Sequence, residues 1–299
     1  MAAILKDLGF SLRTNRKNIS VCSVSPKIRD EQFNYIAQLR RQFCAAGHPV
    51  ISVDTKKKEL IGLFKNPGRT WSRAPVPVND HDFRSQAEGI AVPYGIYDTQ
   101  ANRGSVFVGT SRDTPAFATD CLSLWYEREG KHRYPYSDEL LILADSGGSN
   151  GPRCRAWKHG LQTKLANQHG LKVTVCHYPP GSSKWNPADH RLFSEISKNW
   201  AGRPLDSYQT ILNYISTTAT STGLAVTAYL HPIDYPKGIR ISDEEMQALS
   251  LQPHDIQPER NYSILPNAAV SSTIDDAFIS SLWHNHDTGP ATVNSGSYC

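Results

Sequence analysis

Two different spacings of apolar residues divide this chain. Residues 2–14, AAILKDLGFSLRT, predict a short helix, and residues 28–43 predict a second, with Phe33, Ile36, Ala37 and Phe43 near helical spacing. From residue 50 the pattern turns to strands. PVISVDT and ELIGLF predict two short strands joined by the charged turn Lys56–Lys58, and GSVFVG (104–109) predicts a third. Asp113-Thr114-Pro115 then supplies a cap and a first-turn proline for a helix through FATDCLSLWYEREG. ELLILAD (139–145) is a continuous apolar strand, as expected where both faces are covered. The turn SGGSNG leads into a helix, PRCRAWKHGLQTKLANQHG, and KVTVCHY (172–178) is a fifth strand. After the loop PPGSSKWNP comes the helix ADHRLFSEISKNWAG. Residues 267–299, rich in Ser, Thr and Asn, carry little periodicity and read as a loose tail.

This order predicts an α/β fold: a three-strand antiparallel meander, then two parallel strands, in one mixed sheet flanked by helices. It is the order of the RNase H-like fold. Three acids stand out within it. Asp54 shares a strand face with Ser52, opposite Ile51 and Val53, and so occupies the centre of a sheet, where a carboxylate is costly unless paired or metal-bound. Asp145 ends the apolar strand, and ligand sites collect at such carboxyl ends. Asp189 precedes Leu192, Phe193, Ile196 and Trp200 at offsets that put it on the apolar stripe of its helix, whereas Glu195 falls off that stripe. A strand-end Asp taken alone is an ordinary turn or cap residue, as Asp98 and Asp113 illustrate, and Asp189 alone could cap its helix. Only their joint placement points to a shared site for Mg²⁺ or Mn²⁺, with two ions serving in-line phosphoryl transfer. SGGSNG is neither GxGxxG nor GxxxxGK[ST], so a nucleotide site there has little support.

Composition narrows the partners without naming one. The 299 residues are 39% hydrophobic and 20% charged, an ordinary globular balance. The net charge of +4 permits nucleic-acid binding without requiring it. No apolar run approaches the roughly 18 residues of a membrane helix, and the start lacks the form of a signal peptide, so a soluble, cytoplasmic protein is expected. The six cysteines are scattered with no CxxC pair, which favours free thiols over zinc sites or disulfides.

At these same residues the sequence resembles a known family. SVDTKKKELIG, HDF, PYGIYD, ADSGGSNGPR and HYPPGSSKWNPADHRLFSEIS are similar to blocks of the Rhodopirellula-type DDE transposases of bacterial insertion sequences. Residues 203–230 and NYSILP (261–266) continue the likeness, which spans roughly 3–266. It implies an RNase H-like catalytic domain over 49–266, a divalent metal, and strand transfer at element ends. It places the first acid at Asp54 and the second at Asp145. The third is usually Glu in a W-N-x-x-E-H-R block; here the block reads WNPADHR, so the position is Asp189, one methylene shorter. Residues 1–48 are expected to be the remnant of an upstream helical DNA-binding region with a linker helix, since KDLGFSLRTNRK looks like its last helix.

Basic and aromatic residues gather around the acids. Lys56, Lys57 and Lys58 follow the first. Arg153, Arg155, Lys158, His159 and Lys164 follow the second, and Lys184, Trp185, His190 and Arg191 flank the third. Such a surround suits a DNA backbone, and Trp185 could stack on an unpaired base, although any one Lys could equally be a solvated surface charge. Three readings follow: a transposase acting on double-stranded DNA, with a homodimer on paired ends as the family's habit; a degenerate copy that binds DNA without cutting it; and a plain RNase H-like nuclease.

Overall fold

A computed structural model describes residues 2–11 and 25–267, and its centre is the strand pair formed by the apolar runs VISVDT and ELLILA. The strands are β1 (Val50–Thr55), β2 (Glu59–Ile61), β3 (Gly89–Asp98), β4 (Arg103–Gly109), β5 (Glu139–Ala144), β6 (Lys172–His177), β7 (Ala225–His231), β8 (Leu251–Pro253) and β9 (Asn261–Ile264). They form one mixed sheet in the order β7-β4-β3-β1-β5-β6-β9-β8, with β2 paired to β3 beside this path. β1, β3 and β4 are the antiparallel meander, and β5 and β6 continue from β1 in parallel. This is the RNase H-like arrangement expected from the sequence, extended by β7 parallel to β4 and by β9 antiparallel to β6.

One strand was misplaced by pattern. ELIGLF yields only the three residues of β2, and the middle strand of the meander is β3, ten residues long. Gly89, Pro93 and Gly95 punctuate it, and a proline ordinarily argues against a central strand. The fold admits Pro93 at a gap. Its carbonyl accepts from the Lys56 N–H at the break between β1 and β2, and on an antiparallel strand the missing N–H faces that same break.

The helices are α1 (Ala2–Asp7), α2 (Pro26–Ala46), α3 (Pro115–Trp125), α4 (Lys131–Arg133), α5 (Arg155–Leu161), α6 (Ser194–Asn199), α7 (Tyr208–Ser216) and α8 (Asp243–Gln247). The Thr114 hydroxyl caps α3 by accepting from the Phe117 N–H, with Pro115 in the first turn. The helix expected over 2–14 is helical at Ala2–Asp7; residues 12–14 lie outside the described residues, as do 268–299 of the expected tail. Three helices pass through a π-helical turn, at Tyr126–Gly130, Gln162–Asn167 and Ala188–Phe193.

The sheet is covered on both faces. On one, Ile51, Val53, Tyr94, Ile96, Phe107, Leu140 and Ile142 pack against Phe117, Leu122 and Trp125 of α3 and Trp157 and Leu161 of α5. On the other, α2 lays Ile36 and Phe43 on Val50, Leu141 and Leu143. Beside it, Leu192, Phe193, Ile196, Trp200 and α7 cover Ala91, Tyr97, Val106 and Val108. α2 is also tied by polar contacts: Gln32 donates to the His177 carbonyl and exchanges amide hydrogen bonds with Asn261 of β9.

The second face has a stripe without side chains. Gly95 lies directly opposite Asp54 in the β1–β3 register, and a Cβ there would stand 2.5 Å from the Phe193 ring. A Cβ on Gly104 would strike Leu192. The glycines therefore let the 188–199 helix sit close to β1. Gly95→Val is expected to lower stability by about 1–3 kcal/mol through overpacking. Urea unfolding of the variant checks this; an unchanged midpoint would show that the helix has room to spare.

Candidate functional site

The parallel pairing of β1 with β5 sets Val53 opposite Ala144, so Asp54 and Asp145 are the next residues of neighbouring strands. Both belong to the face that carries Val50, Leu141 and Leu143. Asp189 is near enough for its charge to act on Asp54. Asp189 lies in the π-helical turn Ala188–Phe193, whose Leu192 and Phe193 rest on the glycine stripe. Such turns are frequent at functional sites.

Hydrogen bonds hold Asp54 on both sides. Its Oδ1 accepts from the Thr55 N–H at 2.8 Å and its Oδ2 from the Asn186 side-chain amide at 3.0 Å. Asn186 is fully buried, and its Oδ1 accepts from the Ser52 hydroxyl at 2.5 Å and from the Ala188 N–H at 3.2 Å. One side chain thus fastens the start of the Asp189 helix to β1. Asn186 was visible only as a letter in the WNPADHR block; nothing in its spacing announced this role.

Burial, with the charges of Asp145, Asp189 and Asp113 added and the Thr55 N–H opposing, pushes the Asp54 carboxyl up to about 7. Burial also raises Asp145, opposed by a hydrogen bond from the Gly147 N–H and reinforced by Asp113. Asp113, which reads from sequence as a cap-region residue, therefore belongs to the same electrostatic neighbourhood. Its Oδ1 accepts from the Thr55 hydroxyl at 3.2 Å. Carboxylates that repel each other in this way are a donor set matched to a hard cation. Among the described residues, however, no three Asp, Glu, His or Cys side chains close into a ready coordination shell.

The backbone of Asp145 has its own support, which sequence reasoning missed. His177 is buried, and burial lowers its imidazole to about 4, so it is neutral near pH 7. Its Nδ1 lies 2.9 Å from the Asp145 carbonyl and must carry the proton. Its Nε2 then accepts from the Tyr262 hydroxyl, which in turn accepts from the Trp157 indole N–H.

The basic residues divide into exposed and engaged. Lys57, Lys58, Arg153, Lys184, His190 and Arg191 are exposed. Lys56 is paired with Glu59 at 2.7 Å and lies 4.9 Å from the Trp200 ring. Lys158 lies over the Tyr262 ring, and burial lowers its ammonium. Lys164 is paired with Asp120, and Arg155 with Asp243. Trp185 is 44% exposed. Asp98 is a structural acid, bound by Arg133 and Tyr134, and Glu195 pairs with Lys198.

The model of the Rhodopirellula transposase DDE domain matches residues 1–266, and the chain belongs to that family. No curated protein matches it. Among solved structures it is similar to the Mos1 transposase paired-end complex with left transposon end, at 16% identity and a TM-score of 0.46, covering 72% of this chain and 60% of that one. It is also similar to the mariner Mos1 paired end complex with Mg, at 13% identity and 0.46, covering 72% and 61%. The chain thus spans about 60% of the length of these solved chains. No helix among the described residues is long and apolar enough to cross a membrane.

The raised Asp54 carboxyl has a pH consequence for the metal-free protein. A folded-state value above the ordinary 3.8 means that the folded state holds the proton more tightly, so the contribution is present below about pH 4 and lost as pH rises to about 7. Relative to Asp54→Asn, the parent should lose up to about 4 kcal/mol across that window and none above it. Denaturant titrations of both proteins at pH 4.5, 6 and 8 in EDTA measure the difference; parallel curves would mean that Asp54 titrates normally.

Proposed function

We propose that this chain is the catalytic part of a DNA transposase that cleaves a phosphodiester bond at insertion-sequence ends and transfers the freed strand to target DNA. The observation that carries this reading is the placement of Asp54 and Asp145 side by side on β1 and β5, with the charge of Asp189 acting on Asp54, in a member of the DDE family. Asp54, Asp145 and Asp189 would hold divalent magnesium or manganese, in two ions as the chemistry prefers. Such ions, when bound, supply charge stabilisation at the attacking and leaving oxygens of an in-line displacement.

The protein's own residues do the positioning. Asn186 and the Thr55 N–H fix the plane of the Asp54 carboxylate. His177, held neutral, keeps the Asp145 carbonyl in place by donating from Nδ1. The exposed Lys57, Lys58, Arg153, Lys184 and Arg191 are suited to the phosphates of double-stranded DNA on either side of the scissile bond. The domain boundary proposed at 48/49 puts α2 before the catalytic domain. A homodimer on paired ends is the family arrangement we propose for it, and the site of action is the DNA-containing cytoplasm.

A second reading, a copy that binds DNA without cutting, is favoured by one observation: no three donors among the described residues form a closed shell. One experiment separates the two. The protein is incubated with Mg²⁺ or Mn²⁺ and DNA bearing the element's ends. Cleavage should fall at least about a hundred-fold in Asp145→Asn, since an ion's contribution to the transition state is several kcal/mol. Cleavage that survives the substitution would sink the proposed site. No cleavage by the parent, with rescue by Asp189→Glu, would establish the degenerate copy.

A further inference from the structure

A small cavity opens between α2, the end of β3 and the start of the Asp189 helix, and its charge is one-sided. It has a volume of about 220 Å³ and is walled by Arg40 of α2, by Lys184, Trp185, His190 and Arg191 of the segment before and within the Asp189 helix, and by Tyr97 of β3. None of its lining residues is acidic. Among the described residues, Arg40, Lys184 and Arg191 have no carboxylate partner within ion-pair distance. The Arg40 Nε–H is buried with no hydrogen-bond partner. That nitrogen is itself closed to solvent, so a ligand in the cavity would meet the outer nitrogens of the guanidinium, which no carboxylate neutralises.

The aromatic wall is anchored on one side. The Trp185 ring packs against Phe33 of α2 at 5.4 Å, with the Arg29 guanidinium 4.8 Å and the Lys184 ammonium 4.1 Å from its centre. Lys184 is exposed and on a flexible stem, so a flat ring can take its place over the indole while the ammonium moves to a phosphate. The cavity shares a wall with the acids. Asn186 lines it and donates to Asp54, and His190 follows Asp189 directly.

We propose that this cavity seats one unpaired nucleotide of a DNA strand, next to the scissile phosphate, with its base on Trp185 and its phosphate on Arg40, Lys184 and Arg191. It rests on the reading of the acids as a DNA-processing site and extends it. The site is selective for a strand that has left the duplex, and α2 is part of it. A duplex phosphate alone would need the cations but neither an aromatic wall nor a closed volume.

The test uses the full chain in EDTA, so that no cleavage intervenes. Fluorescence anisotropy compares a blunt duplex with the same duplex carrying a short single-stranded overhang, and 2-aminopurine in the overhang reports stacking. The expected result is about ten-fold tighter binding of the overhang duplex, with quenching of the probe. Trp185→Ala should remove that preference and the quenching while leaving blunt-duplex binding nearly intact. Arg40→Gln should also remove the preference, and Arg40→Lys should restore part of it. Equal affinity for the two duplexes overturns the proposal. So does a preference that survives both Trp185→Ala and Arg40→Gln, or an equal loss on both duplexes in Trp185→Ala. Lys184→Gln, on an exposed loop, gives the same reading if Arg40→Gln misfolds. Asp145→Asn separates this inference from the catalytic one, because it should lose cleavage and keep the overhang preference. A parent that prefers the overhang but never cuts would leave the pocket standing and the catalytic reading fallen.

Discussion

The close approach of one helix to two glycines is the constraint on which this site depends. Without side chains at Gly95 and Gly104, Leu192 and Phe193 descend onto the meander, and the turn bearing Asp189 comes with them. Gly95 sits opposite Asp54, so the clearance is made where the Asp189 helix packs onto the strand beside Asp54. The consequence is electrostatic. Carboxyls that would titrate independently in water are gathered beside low-dielectric walls, and the most central of them is held near neutrality. The packing adds the charge of Asp189 to a pair that β1 and β5 already set side by side, and loss of the helix would remove that added share.

Polar locks set the finer geometry around that approach. Asn186 joins Ser52, Asp54 and the Ala188 N–H, so a slip of the helix would break several hydrogen bonds at once. On the far side of β5, the run from Trp157 through Tyr262 to His177 ends on the Asp145 carbonyl. The first and second acids are thus supported from opposite layers of the fold. The cations follow a different rule. Those with carboxylate or ring partners, such as Lys56, Lys158 and Lys164, are committed to structure. Arg40 and Arg191, which have no carboxylate partner, and Lys184, which lies over the exposed Trp185 ring, line the cavity between α2 and the Asp189 helix. Net charge alone could not have drawn that distinction.

Much of the fold was legible because its central elements obey simple periods. VISVDT and ELLILAD are apolar on their buried faces, and the helices after β4, β5 and β6 carry caps or helical stripes, so their order alone predicted the mixed sheet. β3 was hidden by Pro93 and two glycines, since the reason for tolerating each lies in another element: the break after β1 for the proline, the Phe193 ring for Gly95. β7 was hidden because its pairing partner β4 stands far away in sequence. In the site, Asp54, Asp145 and Asp189 stood out as charges in apolar surroundings. Asn186, Asp113 and Arg40 did not, because their significance comes from what the fold sets beside them.

The third acid ties these threads together. In the proposed site, Asp189 stands one carbon shorter than the Glu that the sequence resemblance leads one to expect, so its backbone would have to lie about 1.5 Å nearer to offer its oxygens at the same point. Two features of this chain bear on that distance. The glycine stripe removes the side chains that would hold the helix off, and the π-helical turn at Ala188–Phe193 widens the helix where Asp189 projects. Under the proposed reading a shorter acid calls for a closely packed helix, because a cation with rigid octahedral demands tolerates little misplacement of its ligands. If the proposed role of Asp189 holds, its reach and the bareness of Gly95 act together, since the helix that carries the one rests on the other.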